Sequence, residues 1–102
     1  MQFSVSKRDD SAIVTVSGEV DLYSVSVLKE GIAKQVDDPA CMRLEFDFEN
    51  VTYLDSSGIG YLIVTQRKLK ARGAALAIRN VKGEAARVFQ LSGLSRFLTI
   101  ID

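Results

Sequence analysis

The strongest constraint in this chain is the way its apolar residues change period. From Tyr23 to Val36, Val25, Leu28, Ile32 and Val36 recur at intervals of three and four, which puts them on one helical face with Lys29, Glu30 and Lys34 off it. Leu44, Phe46 and Phe48 then alternate with Arg43, Glu45 and Asp47, the period of a strand with one buried face. Ile59, Leu62, Ile63 and Leu69 return to helical spacing in a segment that Gly73 ends. Ala74 to Ile78 reads as a short strand, and Glu84 to Leu91 as a helix whose apolar side is Ala85, Val88 and Phe89. After Ser92-Gly93, Phe97 to Ile101 reads as a last strand.

Ahead of these, Phe3 and Val5 alternate with Gln2, Ser4 and Ser6, and Ala12 to Val16 forms a second strand-like run. The polar Lys7 to Ser11 turn between them, centred on Asp9-Asp10, predicts a hairpin, with Gly18 closing it. Ser24 is the expected cap of the first helix, and Asp37-Asp38-Pro39 its end, because helices rarely run through the residue before proline. The order is therefore β-β-α-β-α-β-α-β. Strands alternating with helices call for parallel pairing through right-handed crossovers, with only the first hairpin antiparallel. The expectation is one α/β domain over residues 1–102, a mixed, mostly parallel sheet flanked by helices.

Several chemistries are excluded by what the chain lacks. It contains no histidine, so a Ser-His-Asp triad, a His-containing zinc site and a phospho-accepting histidine are all ruled out within it. Cys41 is its sole cysteine, which excludes an internal disulfide and thiolate metal clusters and reads as a small apolar filler. The 13 basic and 13 acidic side chains balance, which argues against direct nucleic-acid binding. The nearest basic cluster, Arg67 to Arg72, reads as the solvated end of a helix, where cations also suit the dipole. No apolar run approaches the roughly 20 residues of a membrane span, and MQFSVSKRDD lacks the pattern of a secretory signal. A cytoplasmic location is expected, with no cofactor and no metal.

Candidate chemistry gathers in Val51-Thr52-Tyr53-Leu54-Asp55-Ser56-Ser57-Gly58-Ile59-Gly60, where a strand gives way to a helix at the carboxyl edge of the sheet. Helix-terminal N–H groups and the positive dipole end face that loop and suit an anion. Three readings compete for it. Asp55 and Ser56 serve as helix caps while Gly58 and Gly60 permit tight packing; or a serine is a nucleophile; or the loop is a recognition surface switched by serine phosphorylation, with the glycines left bare for a partner. A nucleophile would need lysine as base, and neither Gly-x-Ser-x-Gly nor Ser-x-x-Lys occurs around Ser56 or Ser57. The Lys-Ser/Thr that completes a phosphate-binding P-loop is also missing.

Gly18-Glu19-Val20-Asp21, Asp47-Phe48 leading into the Asp55-Ser56-Ser57-Gly58-Ile59-Gly60 block, and Gly93-Leu94 followed by Phe97-Leu98 resemble the STAS domain family over almost the whole chain. Within it the chain is most similar to the bacterial anti-sigma factor antagonists, which implies a binding protein and no enzyme. The resemblance implies that Ser56 is phosphorylated by an anti-sigma factor that is itself a serine kinase. The unphosphorylated form would bind that factor and free a sigma factor, and a PP2C-type phosphatase would reset it. It further implies that Asp21 lies close to the phosphorylated loop and that Ser57 is not modified. Asp21, Asp55, Ser56, Ser57, Gly58, Ile59 and Gly60 are the expected partner-binding residues.

The same resemblance admits a scaffold subunit of a sensory assembly, or a protein acting with a membrane transport or lipid system. Two features depart from the family pattern. Glu45 stands where the third strand is usually apolar, which predicts a more exposed flank, and the last strand runs close to Asp102, where several members continue into a helix.

Overall fold

The computed structural model describes residues 1–101; Asp102, the last residue of the expected domain, lies outside them. The strands are β1 (Gln2–Arg8), β2 (Ser11–Val20), β3 (Arg43–Leu54), β4 (Ala75–Arg79) and β5 (Thr99–Ile101). The helices are α1 (Leu22–Asp37), α2 (Ser56–Ala71) and α3 (Gly83–Ser92), followed by a 3-10 turn at Leu94–Arg96. The expected element order holds. Strands lie side by side in chain order, β1-β2-β3-β4-β5, with β1 antiparallel to β2 and every other pairing parallel.

A sheet whose parallel strands follow chain order, joined by crossovers of one hand, receives its helices on one face. Burial agrees with this. Val14, Val16, Leu44, Phe46, Phe48, Leu76 and Ile78 are buried, and Leu28 and Ile32 of α1, Leu62 and Leu69 of α2, and Ala85 and Phe89 of α3 join them in one core. Phe48 sits at its centre, edge-on to Phe46 at 6.1 Å and stacked on Phe89 at 6.3 Å between ring centroids. The alternating outward residues Arg43, Glu45 and Asp47 stay half-buried.

Glu45 is not the exposed flank its sequence context predicts. Its side chain is only 13% exposed, because Arg43 Nη2 pairs with it at 3.0 Å and Arg79 Nη1 at 3.6 Å. Two arginine stems thus cover the carboxylate on the face the helices leave open.

Gly18 also differs from expectation. It does not close the hairpin, which turns tightly at Asp9-Asp10 between the paired Arg8 and Ser11. It lies inside β2 with φ +88, where the register against β3 shifts between Gly18 and Glu19, so its left-handed backbone makes a bulge. β3 in turn is one long strand carrying both the Leu44-Phe46-Phe48 run and the Val51–Leu54 run.

The last strand is shorter than expected. Leu94 and Leu98 are both buried at a helical spacing, so the chain winds through the 3-10 turn before extending at Thr99. No helix among the described residues is long and apolar enough to cross a membrane.

Candidate functional site

The ends of β2 and β3 outrun the rest of the sheet. β1 pairs with β2 only as far as Ser17, and β4 pairs with β3 only as far as Asp47, so Gly18–Val20 and Val51–Leu54 pair with each other alone. Val20 and Leu54 are partners in that last stretch, and the Asp55 N–H donates to the Val20 carbonyl at 3.2 Å. Asp21 and Asp55 follow directly, and each opens a helix. The loop bearing Ser56 therefore stands beside the loop bearing Asp21, as the resemblance implied.

Each aspartate is the N-cap of its helix. Asp55 Oδ1 accepts from the Ser57 N–H at 2.9 Å and the Gly58 N–H at 3.1 Å, and the Asp55 carbonyl accepts from the Ile59 N–H at 3.1 Å. Asp21 Oδ1 accepts from the Tyr23 and Ser24 N–H groups at 3.1 and 3.0 Å, while Ser24 Oγ accepts from the Asp21 N–H at 2.7 Å. This is a reciprocal capping box. Ser24 is thus its second member, inside the helix, and Asp21 is the cap that sequence reading had placed on Ser24. The Ser24 N–H bond holds the Asp21 carboxyl below its ordinary value of 3.8.

These caps revise the expectation of an anion site. The α2 donors that a phosphate would use at Ser57 and Gly58 are already bound by the Asp55 carboxylate. Ser56 occupies the first helical position and is exposed. It is not a cap. Ser57 is half-buried and lines a groove between α1 and α2. Ile59 is half-buried and packs on the core.

The two glycines separate. A Cβ at Gly58 would lie 2.5 Å from Leu54 Cδ1, 2.9 Å from Val20 Cγ1 and 3.2 Å from the Val20 carbonyl oxygen. Gly58 is buried, and its missing side chain serves the seating of α2 on the strand ends. It offers no bare surface to a partner, which corrects that part of the sequence reading. A Cβ at Gly60 would meet nothing within 4 Å, so Gly60 alone of the pair leaves the helix open.

An open groove of about 340 Å³ runs between α1 and α2 from Ser57 and Gly60 toward Asp37. Tyr61 lines it, and burial pushes its phenol up to about 12, so it presents no charge near neutrality. Large apolar side chains also stand exposed around the strand ends: Leu22 at 66%, Tyr23 at 82% and Tyr53 at 49%. Sequence reading passed over these three. The signal was present for the first two, since Leu22 and Tyr23 precede the Val25-Leu28-Ile32-Val36 stripe. Among the described residues, no cluster of three or more His, Cys, Asp or Glu side chains is placed to hold a metal ion.

Residues 2–102 match the STAS domain family. The chain is 29% identical over 96 residues to an anti-sigma-B factor antagonist of Bacillus subtilis, spanning 94% of this chain and 86% of that protein. A crystal structure of an anti-sigma factor antagonist from Mycobacterium paratuberculosis is similar at 27% identity and TM-score 0.84, over 97% of this chain and 83% of that one. The antagonist SpoIIAA in its unphosphorylated form has the same fold, with TM-score 0.84 at 24% identity over 99% and 89% of the two chains. Its phosphorylated form, from Bacillus, gives TM-score 0.77 at the same identity, over 99% and 92%. With a match that runs from the first strand through the Ser56 loop to the last, the chain belongs to the STAS domain family.

Proposed function

We propose that this protein is an anti-sigma factor antagonist. In the cytoplasm its unphosphorylated form binds an anti-sigma factor that is itself a serine kinase, and so releases a sigma factor. Phosphorylation of Ser56 switches the binding off, and a PP2C-type phosphatase restores it. The protein acts by binding and catalyses no reaction. The names of its relatives support the reading.

One observation carries the mechanism: Ser56 is exposed on the first turn of α2 while the adjoining N–H donors are taken by Asp55. A phosphate there adds about −1.5 to −2 charges at pH 7. It finds no free donors at Ser57 and Gly58, and Asp55 lies next to it in the chain. Left in water, it costs the fold little. Covered by a partner without a matching cation, it costs several kcal/mol. Each 1.4 kcal/mol or so is a tenfold loss of affinity, so a fall of about two decades or more follows.

Incubation with ATP and the cell's anti-sigma factor serine kinase, followed by peptide mass spectrometry, tests the assignment. A single phosphate on Ser56 is expected, with Ser56→Ala unmodified. Phosphate on Ser57, or on both serines equally, would overturn it.

A further inference from the structure

Gly60 is a glycine the fold does not require. Its backbone is helical, inside α2, and a methyl group there meets nothing within 4 Å. Glycine weakens a helix interior relative to alanine. Gly58 has its reason in Leu54 and Val20; no contact within 4 Å gives one for Gly60. What lies against it is the α1–α2 groove.

Side chains from both helices line that groove. Val25 from α1 and Tyr61 and Val64 from α2 form its apolar wall, and Val64 is 51% exposed although it is a large aliphatic residue in a helix. Lys29 on α1 and Lys68 on α2 line it from opposite sides, with Asp37 the one acid at the far end. Its near end is Ser57 and Gly60, so it continues directly from the phosphorylation loop.

We propose that this groove seats an amphipathic helix of the anti-sigma factor. The helix lays apolar side chains on Val25, Tyr61 and Val64, sets acidic side chains against Lys29 and Lys68, and passes its backbone close over Gly60. The inference rests on the antagonist reading and deepens it. A trough between two helices takes a row of anchors spaced three and four residues apart. A bare glycine permits the close approach, and two opposed lysines select an acidic helix over a basic one. Phosphorylation at Ser56 and docking in the groove would then act on neighbouring parts of one interface.

The test is calorimetric titration with the purified serine kinase that modifies Ser56, without ATP, on full-length variants. Lys29→Glu/Lys68→Glu is expected to weaken binding by about 100-fold or more and to flatten its salt dependence. Both lysines are exposed, so the fold should stay intact, with the melting temperature falling by no more than a few degrees as the last turn of α2 loses a cation. Gly60→Leu should weaken binding at least tenfold with the fold intact, because the added side chain fills the near end of the groove. Groove variants that bind like wild type, while Ser56→Asp loses binding, would overturn the groove and leave the antagonist reading standing. If Ser56→Asp also binds like wild type, or no kinase binds the wild type, the antagonist reading falls and the groove with it. Sedimentation adds a further arm: a dimer that Val64→Glu dissociates, with kinase affinity unchanged, would assign the groove to a second copy and overturn the proposal.

Discussion

A methyl group at Gly58 and one at Gly60 enter opposite surroundings, and that contrast is measurable. At Gly58 the methyl collides with Leu54, Val20 and the Val20 backbone. Relief needs the buried Leu54 and Val20 side chains to repack and the Val20 carbonyl to give slightly, so Gly58→Ala should lower stability by about 1–3 kcal/mol despite the gain in helix propensity. Gly60→Ala has no clash and should raise stability by up to about 1 kcal/mol, while partner binding weakens. Thermal melts of the two variants check the pair, and the reverse order would contradict it. Asp21 supplies a second test, through pH. Its folded pKa is depressed below 3.8, chiefly by the Ser24 N–H bond, so its contribution to stability is present above the unfolded value and lost as pH falls through the folded one. Asp21→Asn should therefore be less stable than wild type near neutrality, with the gap closing below about pH 4. A gap that stays constant in acid would show that the charge on Asp21 does not act as a cap.

Among the elements, α1 and α2 are held together at their far ends by one side chain. Arg72 Nη1 donates to the Cys41 carbonyl at 2.6 Å, while its Nε and Nη2 donate to the Val36 carbonyl at 3.2 and 2.9 Å. It thus satisfies the end of α1 and the approach to β3 from the C-cap of α2. Arg72→Ala should cost about 1.5–3 kcal/mol in denaturant titration, with Arg72→Lys recovering only part, since an ammonium lacks the planar fork. Arg67→Ala, on an exposed position, should stay within about 0.5 kcal/mol of wild type. From sequence the whole Arg67 to Arg72 run looked like a solvated helix end. Periodicity reports which face of a helix is apolar, and it is blind to a polar side chain whose targets lie 31 and 36 residues away. The same limit hid the α1–α2 groove, which exists only once both helices lie on the same face of the sheet. What depends on local period was legible, including every strand and α-helix in order and the strand–Asp–Ser–helix junction at Ser56. The cap of α1 is Asp21, three residues before Ser24; serine and aspartate both suit a cap, and periodicity does not choose between them. The last strand starts two residues later than its apolar run because Leu94 and Leu98 share a helical spacing.

At the scale of the molecule, a sheet in chain order keeps its helices on one face and carries its two longest parallel strands out to a common edge. Ser56 stands on that edge, outside the core built on Phe46 and Phe48. A phosphate on Ser56 gains about 0.3–1 kcal/mol from the α2 dipole. Repulsion from Asp55 opposes it by a similar amount, about 1 kcal/mol for unit charges ~4 Å apart in water. A domain of this size holds ~5–15 kcal/mol, so the modification should leave the fold unchanged. The most direct test is to titrate unmodified and phospho-Ser56 protein with the anti-sigma factor kinase and to melt both in parallel. Stability should differ by less than about 1 kcal/mol while affinity falls by about two decades or more. Equal affinities, or a loss of affinity matched by a large drop in melting temperature, would contradict a switch that acts at the interface.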